Sequence, residues 1–501
     1  MKTALIHVPF VSLLKIPPLA PALLKSCLKQ DNIESCVFDF NLKFQKEFPK
    51  EHKDIILTWF ITSDIVVPLD SYSAYTTFIQ SCVNQVLEYN ADAIGISVFS
   101  HNGHRFVEDF CFHYKKAKQS YILLGGSGLQ TMQNQFGKYW SELMLDSELA
   151  DCALHGEGEF LIGDLISNKI TGIVKNPQLD SETLRDLPPP NFDDYDLDQY
   201  GPRDELLLPI TSSKGCVRSC TFCDVAKLWP KFRYRRGKNV ANDIISIYER
   251  YKIKNFSFTD SLINGGLKPF REMNEVLSET LPNTINYEGQ FICRNSSGMP
   301  PSDFKLMKRG GCSRVSIGIE SGSESVRSHM KKGFSNQDID YTTDQLISND
   351  IKQTWNIIVG YPTETDDDWN DTLNLIKKYK KYSDMIKISP VGVFQFLNNI
   401  PLREKDAMDS LGLISQLDHG HDEYNWIATI NPTNTFKIRA SRWFYLVELL
   451  KDVDMLLLES NVDQKSIIIK QQLQYYESKP DKVTIPIVPY SLQSSTDFNI
   501  Q

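Results

Sequence analysis

The chain has 501 residues, of which 41% are hydrophobic and 23% are charged, as is usual for globular proteins. At roughly 100 to 200 residues per domain, this length predicts two or three domains. The formal net charge of −9 argues against a general nucleic-acid binder, because such proteins neutralise phosphates with a clustered basic surface.

The first residues, MKTALIHVPFVSLLKIPP, combine a lysine with apolar residues, as a signal peptide does. His7, Pro9 and Lys15 interrupt a continuous apolar run, so a buried first strand is expected instead. No apolar run approaches the roughly 18 residues that a membrane helix needs. We therefore expect no membrane span and a cytoplasmic protein, in which a cysteine cluster indicates metal or redox chemistry before disulfides.

Residues 1–176 alternate short apolar runs with amphipathic segments. Runs that are apolar throughout are typical of strands buried on both faces, so the pattern predicts a Rossmann-like, doubly wound parallel sheet. The stretch between 41 and 90 is longer than one crossover needs, which predicts a helical insertion. The predicted strands are 4–8, 36–40, 93–99, 121–126 and 152–156.

Residues 177–205 combine three consecutive prolines with many acidic residues and show no helical or strand period. This composition predicts an acidic, Pro-rich linker. Its aspartates are expected to be solvated rather than to hold a cation, because nothing fixes their oxygens in a coordination shell.

Alternation resumes over 206–400, in six strand and helix units. Six units are too few for an eight-fold barrel, so we expect a partial (βα)6 barrel. Residues 401–501, with a strong helical pattern at 439–460, are expected to be mainly helical and to close the substrate pocket. The predicted barrel strands are 206–212, 255–260, 285–293, 314–320, 354–360 and 385–394.

Three of the ten cysteines, Cys216, Cys220 and Cys223, lie within eight residues at the spacing C-x3-C-x2-C. They follow the first predicted barrel strand, where barrel enzymes bind ligands. Structural zinc is one alternative, but it needs four ligands, and no histidine occurs between His155 and His329. A redox disulfide uses two thiols rather than three. A [4Fe-4S] cluster normally takes four thiolates, so three on one loop would leave one iron open.

The segment CVRSCTFC (216–223) resembles the C-x3-C-x-Φ-C signature of the radical SAM superfamily, with Phe222 at the aromatic position. Two later runs, IGIESGSESVRSHMKKG (317–333) and IIVGYPTETDDDW (357–369), are similar to runs of the branch that carries an N-terminal cobalamin-binding domain. The resemblance implies that the three cysteines hold a [4Fe-4S] cluster. Its open iron would bind S-adenosylmethionine, whose reductive cleavage gives a 5′-deoxyadenosyl radical.

The resemblance also implies S-adenosylmethionine contacts at the ends of the later strands. A guanidinium at Arg294 suits the methionyl carboxylate, and the carboxylate of Glu320 must find donors such as ribose hydroxyls. Gly360 would let the backbone approach the adenine. Asp260 could instead cap a turn, and Arg294 could pair with a surface acid. The residues expected at this cofactor are Phe222, Asp260, Arg294, Glu320, Ser321 and Gly360.

Residues 1–170 resemble the cobalamin-binding domain of the same branch, in 17–41, 91–100, 123–128 and 151–159. The loop after the first strand lacks D-x-H-x-x-G, so it offers no histidine as lower axial ligand to cobalt, and many relatives lack it too. His101 and His104 follow the third predicted strand and could face the corrin, but a lone histidine is usually structural, so a structural role is expected for both. Cobalamin is nevertheless expected beyond the strand ends, at Gly125, Gly126, Gly156 and Glu157.

If cobalamin binds, the resemblance implies a C-methyltransferase that uses S-adenosylmethionine once to methylate cob(I)alamin and once to form the substrate radical. A radical SAM enzyme that performs cyclisation or rearrangement is an open alternative, with the first domain vestigial or differently used. A cobalamin or Fe-S sensor is another, disfavoured because a sensor needs no open iron.

The expected partners are an unidentified small-molecule or peptide substrate and an electron donor such as flavodoxin or ferredoxin. No nucleic-acid partner is expected. The basic and aromatic stretch KFRYRRGK (231–238) is interpreted as a solvated loop.

Overall fold

The protein is seen in a computed structural model, in which two compact units are recognised by the density of their internal contacts. The first unit comprises the described residues of 1–210 and 242–256, and the second comprises the remaining described residues. Among the described helices, none is both long enough and apolar enough to cross a membrane. The described residues are 1–9, 16–61, 65–130, 137–176, 184, 187–229, 231–397, 400–415, 423–458, 461–477 and 485–486.

The first sheet is parallel and has six strands in the order β2-β1-β3-β4-β5-β6. Five of them coincide with the predicted apolar runs, so the doubly wound sheet is confirmed. The sixth was not predicted, because its four residues alternate in burial at the sheet edge. The strands are β1 (Lys2–His7), β2 (Glu34–Asp39), β3 (Ala93–Ser97), β4 (Tyr121–Gly125), β5 (Cys152–His155) and β6 (Gly172–Lys175).

The predicted helical insertion is present as three helices with an aromatic core. The rings of Phe44 and Phe48 stack with centroids 4.5 Å apart, and Phe78 meets Phe44 edge-on at 5.4 Å. Such apolar rings bury a large area, which holds the insertion on the sheet. The helices up to residue 167 are α1 (Leu19–Gln30), α2 (Phe40–Glu47), α3 (Lys50–Ile61), α4 (Leu69–Tyr89), α5 (His104–Ala117), α6 (Trp140–Asp146) and α7 (Ile162–Ser167).

The described part of the predicted linker differs from the expected solvated segment. Phe192 and Tyr195 are buried, at 1% and 8% exposure. The Asp194 carboxylate pairs with Lys25 and accepts a hydrogen bond from the Val37 amide at 2.8 Å. These contacts lie within the first unit, so apolar burial and ion pairing hold this part of the chain. The predicted linker residues outside the described ones are 177–183, 185 and 186.

The second large sheet has the strand order β14-β13-β12-β11-β10-β7. Because β14 and β7 stand at the two ends of this order, the sheet is not closed. All six predicted barrel strands are present, which confirms the partial (βα)6 barrel. The strands are β7 (Leu207–Ile210), β10 (Asn255–Phe258), β11 (Asn286–Phe291), β12 (Cys312–Glu320), β13 (Lys352–Val359) and β14 (Ile386–Val393).

The barrel helices begin with α8 (Val225–Leu228) and follow the predicted alternation. Several have explicit caps; Thr365, for example, caps the helix that begins at Asp366 by accepting a hydrogen bond from the Asp368 amide. The remaining barrel helices are α9 (Gly237–Tyr251), α10 (Leu267–Thr280), α11 (Pro301–Arg309), α12 (Glu324–His329), α13 (Asn336–Ser348) and α14 (Asp366–Tyr379).

The described C-terminal part contains helices α15 (Lys405–Leu411), α16 (Phe436–Asp452) and α17 (Val462–Glu477). It also contains a small antiparallel sheet that the sequence did not predict, because its strands have only two or three residues. The short strands are β8 (Ser213–Lys214) and β9 (Arg233–Tyr234), which form a hairpin, and β15 (Leu413–Ser415), β16 (Trp426–Ala428) and β17 (Ile485–Pro486).

Candidate active site

The three clustered cysteines lie in the loop that joins β8 to β9 in the second unit. Cys220 is buried, and Cys216 and Cys223 are partly exposed. The loop begins at Gly215, whose φ is +79° and where a Cβ would lie 2.4 Å from the Lys231 carbonyl oxygen. Only glycine takes up this conformation without strain. The loop therefore turns sharply before its first thiol.

Thr221, between two of the cysteines, is fixed by three different elements. Its amide donates to the Met330 carbonyl at 3.2 Å, and its carbonyl accepts from the Leu402 amide at 2.9 Å. Its hydroxyl lies 2.9 Å from the Tyr361 hydroxyl. Because both backbone groups and the side chain have partners, the middle of the cysteine loop is held in one conformation.

In the absence of metal, burial disfavours the thiolate form of two of the three cysteines. Burial raises the pKa of Cys220 to about 11, against the opposing effect of the Lys332 ammonium. Burial also raises the pKa of Cys223. Among the described residues, no three metal-ligating side chains converge on a single-ion site. The donor set fits a cluster, whose thiolates bind different irons and release their protons on binding.

Asp260 anchors the start of the cysteine loop. Its carboxylate accepts hydrogen bonds from the Ser212 amide at 3.0 Å, the Ser212 hydroxyl at 2.8 Å and the Ser213 hydroxyl at 2.5 Å. Burial raises the pKa of Asp260 to about 6, despite these bonds. The structure thus places Asp260 beside the predicted cluster loop, in contact with protein groups; its contact with S-adenosylmethionine stays a prediction.

Arg294 lies near a second guanidinium, that of Arg218 in the cysteine loop. Arg294 Nη2 donates to the carbonyls of Asn264 at 3.0 Å and Gly265 at 3.2 Å. Its pKa is lowered by burial and by the charge of Arg218. Within the described structure, the Nε atoms of both arginines are buried without a hydrogen-bond partner. Two cations with spare donors fit a carboxylate ligand.

Glu320 and Lys332 form a buried ion pair, with 3.0 Å between Oε1 and Nζ. Glu320 ends β12 with φ +64°, at an irregularity of the β12–β13 pairing. A Cβ at Gly318 would lie 2.2 Å from Glu320 Oε1 and 2.8 Å from Lys332 Nζ, so glycine there makes room for the pair. Lys332 was missed from the sequence, although it stands in the run 317–333.

Two further residues of the predicted S-adenosylmethionine site, Ser321 and Gly360, have protein partners. The Ser321 hydroxyl lies 3.3 Å from the Thr372 hydroxyl and accepts from the Ser323 amide at 3.2 Å. Gly360 has φ +79°, and its amide donates to Glu364 Oε1 at 3.0 Å. Both follow strand ends, as the sequence indicates, and their contact with the cofactor stays a prediction.

Phe222 lies beside the predicted site and packs against a buried cluster that includes Tyr361 and Phe394. The Lys332 ammonium lies 5.7 Å from the centroid of the Phe222 ring. Phe222 therefore links the cysteine loop to the Glu320–Lys332 pair. The structure places Phe222 near the Glu320–Lys332 pair in the second unit, and the role of these residues toward a cofactor stays a prediction.

In the first unit, the strand order reverses between β1 and β3, and such sheets bind ligands beyond the strand ends near this point. Phe99, just after β3, is 64% exposed. A Cβ built on Gly125, at the end of β4, would meet nothing within 4 Å. The carboxyl edge of these two neighbouring strands therefore has an exposed aromatic residue and a glycine with open space around it, and both features fit a flat ligand.

The other predicted cobalamin residues make close backbone contacts. Gly126 has φ +108°, and a Cβ there would lie 2.3 Å from the Val98 carbonyl oxygen. A Cβ at Gly156 would lie 2.7 Å from the carbonyl oxygen of Asn176, whose side chain donates to the Glu157 carbonyl at 2.6 Å. These residues sit at the carboxyl edge of the sheet, and their role toward cobalamin stays a prediction.

Comparison with models of protein families finds a match in a stretch that lies mainly in the second unit. Residues 210–376 match the model of the radical SAM superfamily. This stretch includes the cysteine loop, Asp260, Arg294 and the Glu320–Lys332 pair. Residues 210–376 therefore carry a radical SAM domain, of a class that uses a [4Fe-4S] cluster and S-adenosylmethionine.

Curated relatives are similar over part of their length. An uncharacterized methyltransferase, PH0819, of Pyrococcus horikoshii is 24% identical over 47% of this chain and 54% of its own. The anaerobic magnesium-protoporphyrin IX monomethyl ester cyclase of Synechocystis is 22% identical over 39% and 42%. The bacteriochlorophyllide d C-12(1)-methyltransferase of Chlorobaculum tepidum is 24% identical over 52% and 55%. The chain thus spans about half the length of these relatives.

Solved structures share the fold across both units. The cobalamin-dependent radical enzyme OxsB aligns with a TM-score of 0.65 at 13% identity, over 95% of this chain and 72% of its own. The radical SAM methyltransferase TsrM of Kitasatospora setae aligns with a TM-score of 0.58 at 14% identity, over 84% and 78%. The fold is therefore similar to that of OxsB and TsrM.

Proposed function

We propose that this protein is a cobalamin-dependent radical SAM enzyme that transfers a methyl group to carbon in an unidentified small molecule or peptide. The observation that carries the proposal is the cysteine loop, which offers three thiols and has the Glu320–Lys332 pair and two arginines with spare donors around it. The methyltransferase names of PH0819, the Chlorobaculum tepidum enzyme and TsrM support the reaction type.

Within this proposal, Cys216, Cys220 and Cys223 hold the cluster. A [4Fe-4S] cluster and S-adenosylmethionine held there would supply the radical chemistry for removing a hydrogen atom from the substrate. Arg294 and Arg218 bind the methionyl carboxylate, since their Nε atoms have no other partner among the described residues. Glu320 accepts hydrogen bonds from the cofactor's hydroxyls, and Lys332 orients the Glu320 carboxylate.

Three features of the first unit support a cobalamin site. They are the reversal of the strand order, the exposed ring of Phe99 and the open space at Gly125. It would supply the methyl group, and the chain would contribute an apolar edge that excludes water. The sequence after β1 contains no D-x-H-x-x-G motif, so cobalt would lack a histidine from this loop. Cobalamin is bound in the OxsB and TsrM structures of the same fold.

A second candidate is a radical SAM enzyme without methyl transfer. The similarity to the anaerobic cyclase of Synechocystis favours it, together with the missing D-x-H-x-x-G. In that case the site of the second unit performs the same radical chemistry, and cobalamin contributes no methyl group. For either function, a cytoplasmic location and a low-potential donor such as flavodoxin or ferredoxin are part of the proposal.

The test is anaerobic reconstitution of the full chain with iron, sulfide and cobalamin, followed by S-adenosylmethionine and a reductant. Formation of both 5′-deoxyadenosine and S-adenosylhomocysteine supports methyl transfer, whereas deoxyadenosine alone supports the second candidate. The test variant is Cys220→Ala. Its matched control is Cys293→Ala, which removes a buried cysteine outside the loop. Absence of both products in a protein that carries its cluster would overturn both functions.

A further inference from the structure

The loop Gly360–Thr365, between β13 and α14, is held by side chains from the C-terminal part of the second unit. Asn431 Nδ2 donates to the Glu364 carbonyl at 2.8 Å and the Pro362 carbonyl at 3.4 Å. Asn434 Nδ2 donates to the Tyr361 carbonyl at 2.9 Å and the Gly360 carbonyl at 3.4 Å. Two amide side chains thus bind four carbonyls of one short loop, which fixes its backbone path.

Arg442 of α16 holds the same loop through a buried carboxylate. Its Nη1 lies 2.8 Å from Glu364 Oε1, which also accepts from the Gly360 amide at 3.0 Å. Its Nη2 lies 2.5 Å from Asp366 Oδ1, at the start of α14. The Glu364 side chain is 1% exposed and that of Arg442 is 9% exposed. Removing the guanidinium would leave a buried charge without its cation, which is strongly unfavourable.

Arg439, one helical turn earlier on α16, packs directly against Gly360. A Cβ at Gly360 would lie 2.3 Å from Arg439 Cγ. The Arg439 guanidinium stacks on Trp426 at 3.8 Å and donates to the Tyr424 carbonyl at 2.7 Å and to the Trp426 carbonyl at 3.1 Å. Gly360 is therefore needed for close contact with α16, in addition to its left-handed φ.

On its other side the loop reaches the cysteine loop. The Tyr361 hydroxyl lies 2.9 Å from the Thr221 hydroxyl, between Cys220 and Cys223. The Tyr361 ring is buried, at 2% exposure. Hydrogen bonds therefore link Arg442 to Glu364 and Glu364 to the Gly360 amide, and the adjacent Tyr361 links this loop to the cysteine loop through its hydroxyl.

We propose that the segment Asn431–Arg442 is a positioning element of the S-adenosylmethionine site, with Arg442 as its central positioning residue. It acts by fixing the backbone of Gly360–Thr365 next to the cysteine loop. A region that the sequence assigned to substrate binding thus shapes the cofactor site. This inference rests on the radical SAM function proposed above.

The test uses the full chain with its reconstituted cluster and the variants Arg442→Gln and Arg442→Lys. The control is Lys451→Gln, which removes an exposed cation of the same helix that pairs with Glu448. Affinity for S-adenosylmethionine is measured by equilibrium dialysis without reductant. Hydrogen exchange is followed in the peptide 357–366, and iron content shows whether the cluster is retained.

Arg442→Gln is expected to weaken S-adenosylmethionine binding by about tenfold or more and to speed exchange in 357–366, with iron content retained. Arg442→Lys, which keeps the charge but not the two-pronged contact, should fall between this variant and the wild type. Lys451→Gln should match the wild type in both measurements.

Unchanged affinity in Arg442→Gln would overturn the proposal. If that variant does not fold, Arg442→Lys decides in the same way, because unchanged affinity and exchange in it also overturn the proposal. Faster exchange spread evenly over β11 to β13 would show a general loss of stability and overturn the positioning role. Failure of the wild type itself to bind S-adenosylmethionine would instead overturn the proposed function, since it involves no substitution.

Discussion

Lys332 and Glu320 meet at the end of β12, with 3.0 Å between Nζ and Oε1 and side chains that are 12% and 9% exposed. Burial lowers the pKa of Lys332, but the Glu320 carboxylate and, once ionised, the Cys220 thiolate outweigh this effect and raise the pKa of Lys332 above its ordinary value. The ammonium therefore stays charged. The absence of a side chain at Gly318 leaves room for this contact, and Glu320 itself has a left-handed backbone.

Lys332→Gln is expected to weaken S-adenosylmethionine binding by about tenfold or more and to lower stability by about 3 kcal/mol, because a buried carboxylate loses its cation. Lys332→Arg keeps the charge and should retain most of the S-adenosylmethionine affinity and most of the stability. Equilibrium dialysis and thermal unfolding check the two effects. The control Lys308→Gln removes an exposed pair with Asp350 and should change neither. Unaltered cofactor affinity in Lys332→Gln would contradict a role of the pair in the site.

Asp260→Asn is expected to impair cluster assembly. The Asp260 carboxylate accepts hydrogen bonds from both Ser212 and Ser213, and an amide cannot accept as many, so the start of the cysteine loop loosens by about 2 kcal/mol. Iron bound per chain after reconstitution should fall. Asp350→Asn, at an exposed acid, is the control. Full iron content with unchanged stability in Asp260→Asn would show that the loop does not depend on this anchor.

The sequence predicted which residues stand at strand ends but not which residues they contact. Asp260 meets Ser212 and Ser213 from 48 and 47 residues away along the chain, and such partners are set by strand order rather than by local pattern. The same limit hid Lys332, which reaches Glu320 only because the turn after α12 brings it back. The apolar runs were easier to interpret, since burial on both faces leaves a local signal.

For the predicted linker, the sequence prediction was wrong because it relied on a local pattern, the amino-acid composition of the segment. Its prolines and aspartates carry the composition of a solvated segment, yet Phe192 and Tyr195 are buried and Asp194 pairs with Lys25. Composition averages over a window, whereas packing depends on a few aromatic side chains within it. The short strands β8, β9 and β15 to β17 escaped prediction for a related reason, because two or three residues carry no measurable period.

Gly125→Ala and Gly126→Ala are expected to differ sharply. A Cβ at Gly126 would lie 2.3 Å from a backbone oxygen, and its φ of +108° is unfavourable for alanine, so this change should destabilise the first unit by about 1–3 kcal/mol. A Cβ at Gly125 meets open space, so Gly125→Ala should fold normally and weaken cobalamin binding. Thermal unfolding and cobalamin absorbance titration separate the effects. Normal cobalamin affinity in Gly125→Ala would remove this glycine from the proposed site.

His104 is expected to make the first unit sensitive to acid. Its ring stacks on Trp140 with centroids 3.9 Å apart and an interplanar angle of 2°. Its Nε2–H donates to the Gly128 carbonyl oxygen, with 2.8 Å between the two heavy atoms. Burial lowers the pKa of His104 from 6.5 to about 4. Because the folded-state pKa is depressed, the contribution to stability is complete above about pH 6.5 and is lost as the pH falls toward 4.

The loss of unfolding free energy on acidification amounts to up to about 3 kcal/mol, at roughly 1.4 kcal/mol for each unit by which the pKa of His104 is lowered. His104→Phe retains a ring that can stack on Trp140 but cannot titrate, so the difference in unfolding free energy between wild type and variant should shrink from pH 7 to pH 4.5. Other buried histidines, such as His7 and His155, titrate in both proteins and cancel in this difference. A difference that stays constant with pH would show that His104 is not the group responsible.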